Sequence, residues 1–372
     1  MTRASPDIAI VGAGLVGAAL AWGCARQGAR VLLVDAGEDD LHASAGNFGL
    51  VWVQGKGLGA PDYAGLTRRS ADAWAAFDAD LRCETGISAG YTRTGGLEIA
   101  LTEAELDEMA TEIKRMHNQP APGASEARML DRAELQELAP AVGPAALGAS
   151  YCPHDGVADP LRTHRALAAA LAAHPKVEVL RARARRVLPQ TDGSFRIETQ
   201  RGDRTAGRVA LTAGLGAVDL APALGLPAPV RPVRGQILVT ERLPRILDIP
   251  NVTIRQTGDG TVMLGDSKED VGFDRGVTPG IARKIVARAA QIYPLLRKAR
   301  IVRQWGALRV MSPDGKPIYA ESRAHPGAAL LTCHSGVTLA AAHAGEVAAA
   351  LLAGRLEQTY PAFTAKRFEP AQ

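Results

Sequence analysis

Cysteine is scarce in this chain: 372 residues contain four, Cys24, Cys83, Cys152 and Cys333, all far apart. With no CxxC pair and no histidine at ligand spacing, they offer no disulfide framework and no zinc, iron–sulfur or other metal site, and they predict reduced thiols. Aromatic residues make up only 4%, while alanine and arginine are abundant, so helices are expected to pack through small side chains. No uninterrupted apolar run reaches the ~18 residues of a spanning helix. The first apolar stretch lacks the basic flank and small-residue cleavage site of a signal peptide. These absences predict a soluble, cytoplasmic protein, peripheral to an inner membrane only through partners. Charge of either sign is not in excess: 43 basic and 39 acidic residues leave a net +4. The densest basic group, Arg181, Arg183, Arg185 and Arg186, has no aromatic interleaved, which argues against nucleic-acid binding. Internal repeats and low-complexity tracts are also missing. The length exceeds one small domain and implies two cores or one large split domain.

What is present is concentrated in Pro6–Asp35. A β-branched run, Asp7–Val11, leads at once into Gly12-Ala13-Gly14-Leu15-Val16-Gly17, then into apolar residues at helical spacing up to Arg26. Gly28 stops that helix, and Arg30–Asp35 is a second buried strand ending on an acid. Strand, tight turn, helix, strand and acid in this order form a complete dinucleotide fingerprint. Gly12 makes the turn, Gly14 lets the backbone approach a pyrophosphate, and Gly17 lets helix and strand pack closely. The helix start offers N–H groups and a positive dipole end to phosphates. Asp35 is the residue expected to take ribose hydroxyls.

Beyond Asp35, a polar stretch bearing Ser44, Gly46, Asn47 and Gly49 precedes a strand-like run, Leu50–Val53. It reads equally as a surface loop or as backbone that something approaches closely. An amphipathic helix is predicted over Tyr63–Leu81, and a hairpin over Tyr91–Leu101 with its turn at Gly95-Gly96. Helices are expected over Glu103–Met116, Asp131–Leu138, Leu161–Ala173, Pro279–Tyr293 and Val337–Ala353. Strands at Val177–Leu180, Arg185–Leu188 and Phe195–Thr199 read as a meander. Gly148–Tyr151, Arg208–Gly216, Pro227–Glu241, Asn251–Gln256, Thr261–Gly265, Ile301–Met311 and Ala328–Thr332 complete the strands. The pattern predicts an α/β protein: a Rossmann-like nucleotide domain interleaved with a β-rich cap. The nucleotide domain would comprise 1–82, 147–225 and 325–372, and the substrate-binding cap 83–146 and 226–324.

The fingerprint, LTAGLG at 211–216, GALRVMSPDGKPI at 306–318 and CHSGVTLAAAHAGE at 333–346 fall in the order seen in D-amino-acid-oxidase-like flavoproteins, and the chain resembles that family over nearly its whole length. SAGNFGLVWVQGKG at 44–57 is similar to the FAD-bearing β subunits of opine oxidases, D-hydroxyproline dehydrogenase and hydrogen cyanide synthase. The resemblance implies a glycine-oxidase-like fold and FAD rather than NAD. It implies cofactor-binding positions at Gly12, Ala13, Gly14, Leu15, Val16, Gly17, Asp35, Ala36, Ser44, Gly46, Asn47, Gly49, Leu50, Val187, Thr212, Ala213, Gly214, Gly306, Leu308, His334, Ser335, Gly336, Val337, Thr338 and Leu339. Arg309, in WGALRV, matches the arginine that binds the substrate carboxylate in glycine oxidase, and a guanidinium suits bidentate carboxylate recognition. Arg255 and Arg234 are strand arginines that either face the pocket or are solvated. His334 is either a pocket residue or a satisfied turn histidine.

Two departures bear on mechanism. Where monomeric sarcosine oxidases attach the flavin through cysteine this chain has Ala307, which implies non-covalent FAD. Where they carry an oxygen-activating lysine it has Met263, which favours a dehydrogenase, although Lys268 lies near. The expected activity is oxidation of the α-C–N bond of a secondary or D-amino acid, of opine or D-hydroxyproline/proline type, by a catalytic β subunit. Its expected partners are an α subunit, a small iron–sulfur subunit and a quinone or other acceptor. Two alternatives stay open: a stand-alone glycine- or sarcosine-type oxidase producing hydrogen peroxide, and a flavin electron-relay subunit.

Overall fold

The computed structural model describes residues 5–37, 43–120 and 126–368. Its central sheet has six strands in the order 318–321, 328–332, 209–211, 8–11, 31–35, 177–181. All pairs are parallel except the edge strand Ile318–Glu321 against Ala328–Thr332. Alternation along Ile8–Val11 decides what covers each face. Ile8 and Ile10 enter one core with the helices Leu15–Arg26, Pro61–Thr85 and Pro160–Ala173 and the helical stretch 340–352. Ala9 and Val11 enter the other, covered by an antiparallel sheet of Ala184–Pro189, Phe195–Thr199 and Arg204–Ala206. Small residues set the helix spacing, as the composition implies: a Cβ on Gly23 would lie 2.1 Å from the Ala344 carbonyl oxygen.

Seven further strands form a second body of antiparallel sheet, and Leu50–Val51 pairs separately with Gly156–Val157. Four are ordered 254–256, 261–264, 231–242, 301–311, and three are ordered 96–100, 148–152, 128–130. A bridge from Leu97 to Asn251 joins the two sets. The helix Pro279–Ile292 closes their core through Ile285, Ala289 and Ile292. This sheet stands over the C-terminal ends of the parallel strands, where open α/β sheets hold their ligands.

Several expected elements change. The hairpin over Tyr91–Leu101 does not form: Gly96–Ala100 pairs with Gly148–Cys152, and Thr92 bridges to Val157 instead. Gly96 is needed for close approach, since a Cβ there would lie 2.4 Å from the Trp52 ring. Val177–Arg181 leaves the meander and joins the main sheet beside Val31–Asp35, its parallel pairing made possible by the crossover helix before it. The run Leu50–Val53 is a strand only at Leu50–Val51. Val53 N and Gln54 N instead donate to the Asp155 carboxylate, at 2.5 and 3.2 Å. The helix expected over Val337–Ala353 begins at Ala340 and contains a π-turn, His343–Val347.

Candidate active site

The fingerprint turn is held by its own backbone and by one carboxylate. Gly12 has φ +109°, a conformation that favours glycine. A Cβ on Gly17 would lie 1.8 Å from the Gly12 oxygen and 2.4 Å from Thr212 Oγ1. Gly17 is thus required for helix and strand to meet. Thr212 Oγ1 donates to the Gly12 carbonyl at 2.7 Å, so the 212–214 segment is stitched to the turn. Asp35 accepts from Ala13 N at 2.6 Å and from Gly37 N at 2.7 Å. Ser44 Oγ accepts from Leu15 N at 2.9 Å, at the start of the first helix.

From this turn a cavity of about 820 Å³ runs between the two sheets, within the range of about 300–1,000 Å³ usual for small-molecule sites. Its walls include Gly12, Gly14, Leu15, Val16, Asp35, Ala36, Ser44, Gly46, Asn47 and Leu50. Thr212, Ala213, Gly214, Leu308, His334, Ser335, Gly336, Val337 and Thr338 also line it, as does Arg309. Arg183, Ala184 and Arg185 stand at the nucleotide end beside Asp35 and Ala36. Above Gly14 the nearest atom a Cβ would meet is Ser44 Oγ at 3.1 Å, so the backbone is open to the cavity. Bare backbone, a helix start and an acid after the second strand fit a dinucleotide.

Other expected site residues lie behind these walls. Ala13 contributes backbone contacts: its N–H goes to Asp35, and its carbonyl is 2.8 Å from His164 Nε2. Val187 and Leu339 are fully buried core residues. Gly49 has φ +91° and sits against the Ala158 carbonyl, and Gly306 packs on the backbone of 275–276. Arg255 does not reach the cavity: it is buried, donates from Nε to the Phe48 carbonyl and lies over the Phe48 ring. Burial pushes its pKa down to about 10. Arg234 is consumed by Glu269 at 2.7 Å and by Asp274 at 2.5 Å.

The far end of the cavity is made of side chains from distant segments. Arg309, on Ile301–Met311, donates to the Ser267 carbonyl at 2.8 Å and pairs with Asp266. Two donors are thereby occupied, and a guanidinium has five. Gly235, across the strand pair opposite Ala307, makes room: a Cβ there would lie 2.4 Å from the Arg309 guanidinium. Lys56 and Lys268 line the same end, with Glu98, Asp266 and Trp52. Lys56 Nζ lies 2.9 Å from Ser335 Oγ and 3.2 Å from His334 Nε2, and Tyr63 OH lies 2.8 Å from the same serine oxygen. Loss of water around His334, reinforced by the Lys56 charge, pushes its pKa down to about 3. Desolvation, with Lys268 and Arg309 adding to it, lowers that of Lys56 to about 8. Burial raises the Glu98 carboxyl, and lifts the Cys333 thiol to about 12, so that it stays protonated.

Lys56, Glu98, Trp52 and Asp155 are absent from the sequence-derived site. Lys56 lies between two glycines of the 44–57 stretch, a loop that the Asp155 contacts to residues 53 and 54 help to turn inward. Met263, assigned to an oxygen-activating position, is buried in the cap sheet outside the cavity walls.

Residues 7–351 match the family of FAD-dependent oxidoreductases named DAO. Over 366 residues the chain is 39% identical to the subunit of opine oxidase designated B from Rhizobium meliloti, covering 98% of each chain. It is 38% identical to the corresponding opine oxidase subunit of Agrobacterium tumefaciens, with the same coverage. The crystal structure of glycine oxidase from Geobacillus kaustophilus superposes with a TM-score of 0.85 at 25% identity, over 99% of both chains. Fingerprint, cavity and full-length similarity agree: the chain belongs to the DAO family of FAD-dependent oxidoreductases.

Proposed function

We propose that this protein is the catalytic subunit of a hetero-oligomeric amino-acid dehydrogenase that oxidises a secondary or D-configured amine beside a carboxylate, of opine type. The observation that carries this reading is Arg309, a guanidinium opening into the same cavity as the dinucleotide fingerprint. Full-length similarity to a protein named as one subunit of opine oxidase supports a multi-subunit enzyme. The cofactor is FAD, held non-covalently, since Ala307 offers no nucleophile and the Cys333 thiol is kept protonated. FAD supplies a hydride acceptor for the substrate α-carbon, leaving an imine that water hydrolyses or a cyclic substrate retains.

The chain's own residues do the rest. The backbone of Gly12–Leu15, with Asp35 and Thr212, would hold the dinucleotide. Arg309 fixes the substrate carboxylate bidentately, which sets the α-carbon in one orientation. The strand 301–311 and the turn 334–336, both lining the cavity, enclose the reacting end. An α subunit, a small iron–sulfur subunit and a quinone or other acceptor would take the electrons onward.

The test is anaerobic reduction of the purified holoenzyme by a panel of opines, D-amino acids and N-methyl amino acids. Bleaching of the flavin band by opines, with slow recovery in air and fast recovery on an artificial acceptor, is the expected result. A flavin that no amino acid bleaches sinks the proposal for the isolated chain and leaves the electron-relay role. One observation favours a second reading, a peroxide-producing oxidase: two lysines line the cavity, so the missing lysine at Met263 does not remove positive charge from it. Peroxide formed at the turnover rate decides for the oxidase.

A further inference from the structure

Among the described residues, Lys56 is a cavity-lining cation at the substrate end that hydrogen-bonds only to neutral groups. Arg309 pairs with Asp266, whereas the Lys56 nitrogen meets Ser335 Oγ and His334 Nε2. Groups of both signs surround it: Lys268 and Arg309 oppose its charge and Asp155 favours it, while the Cys333 thiol stays protonated and uncharged. His334 is neutral at physiological pH, because its pKa is held near 3. Burial lifts the Tyr63 phenol well above its ordinary range, so it remains a hydroxyl. Glu98, also in the cavity wall, has its carboxyl raised by burial.

A neutral lysine nitrogen has two hydrogens and one lone pair. With the hydrogens given to Ser335 Oγ and His334 Nε2, the lone pair is left for an occupant of the cavity. The substrate arrives as an ammonium, from which no hydride leaves readily, and its nitrogen is one bond from the carbon that carries the Arg309-bound carboxylate. We propose that Lys56 is the proton acceptor for the substrate ammonium, with Ser335 and His334 positioning its amine. The step is a single proton transfer: R₂NH₂⁺ and Lys56 –NH₂ become R₂NH and Lys56 –NH₃⁺. The electron pair freed on the substrate nitrogen then drives the hydride out, and Lys56 returns its proton to solvent after the oxidised product leaves. A base suited to this work titrates near the operating pH, and Lys56 does so at about 8.

This inference rests on the amino-acid oxidation proposed above, and its test separates the two. Wild-type holoenzyme bleached by an amino acid establishes the oxidation; the variants Lys56→Met and Lys56→Arg then examine the base. Both are expected to retain flavin and to lose about 100-fold or more in the rate of anaerobic reduction at neutral pH. In both, the rate should recover as pH rises and the free amino acid deprotonates. Lys56→Arg keeps the charge but not the base, so wild-type rates in it would overturn the proposal.

A second readout needs no turnover. The probe is N-methyl-α-aminoisobutyrate, a secondary amino acid with no α-hydrogen, studied by calorimetry in buffers of different ionisation heat. At about pH 6.5, well below the Lys56 midpoint, wild type should release about one proton on binding, because Lys56 and the bound amine then share a single proton. Lys56→Met should release almost none, because the probe stays an ammonium. Equal release by the two proteins would overturn the assignment. So would a Lys56→Met protein that binds isobutyrate, which lacks the amine, as poorly as it binds the probe, since that marks Lys56 as a carboxylate anchor.

Discussion

The two ends of the cavity are built by opposite means. The nucleotide end is mostly main chain: Gly12, Gly14 and Gly17 remove side chains so that backbone meets backbone or faces the cavity. Asp35, the acid after the second strand, is tied to N–H groups at 13 and 37. The substrate end is mostly side chain, with Lys56, Glu98, Lys268, Arg309 and His334 arriving from segments far apart in sequence. A main-chain cradle tolerates few substitutions, because no neighbour can step aside. A side-chain site can change its ligand one residue at a time.

That contrast is broken most severely at Gly17. A Cβ there would sit 1.8 Å from the Gly12 oxygen, a clash with backbone that no rotamer relieves. Gly17→Val is expected to purify, if at all, without flavin, as read from the ratio of visible to ultraviolet absorbance. Normal flavin content in a folded Gly17→Val protein would refute the cradle. Arg309→Ala touches the other end only. It should keep full flavin content while the second-order rate of flavin reduction by substrate falls ~100- to 1,000-fold, or about 3–4 kcal/mol. Unchanged reduction kinetics would favour the electron-relay role.

The same contrast explains what could be read from the sequence. The strand–turn–helix–strand unit lies within about thirty contiguous residues and each glycine has a local reason, so its outline is legible, whereas the approach of 212–214 follows only from the family resemblance. Gly95-Gly96 carries the same turn signature, yet Gly96 serves the approach of Trp52 and not a hairpin. Arg234, Arg255 and Arg309 are all strand arginines, and only the WGALRV motif sets Arg309 apart in the sequence. What separates them is which groups the fold brings near: Glu269 and Asp274 for the first, the Phe48 carbonyl for the second, and an opening above Gly235 for the third. Lys56 was illegible for the same reason, since a lysine between two glycines is ordinarily solvated.

Asp155 links the loop of Lys56 to the fold, and its titration gives a smaller, graded test. Its buried carboxylate accepts from Val53 N, Gln54 N and Gln54 Nε2, yet burial outweighs these bonds and lifts its pKa from 3.8 to about 7. A folded-state pKa above the unfolded value means a contribution to stability that is complete at low pH and is lost as pH rises through about 7. Between pH 5 and 8 the wild-type melting temperature is therefore expected to carry a downward component of a few degrees. Asp155→Asn, which cannot ionise, should lack it. Parallel pH profiles for the two proteins would show that the carboxylate is solvated.

The smallest effect sharpens the comparison most, because it imports the rule of the nucleotide end into the substrate end. Gly235 is the place where the substrate end depends on a missing side chain: a Cβ would fall 2.4 Å from one terminal nitrogen of the Arg309 guanidinium and 2.5 Å from the other. Those atoms belong to a flexible side chain, so the arginine can shift where the backbone at Gly17 cannot. Gly235→Ala is therefore expected to fold, to keep its flavin, and to weaken substrate binding only about tenfold, or about 1.4 kcal/mol. The loss should appear in the substrate concentration needed for half-maximal reduction and not in the limiting rate. A defect as deep as that of Arg309→Ala would mean that the guanidinium has no alternative position, and the substrate end would then be as rigid as the cradle.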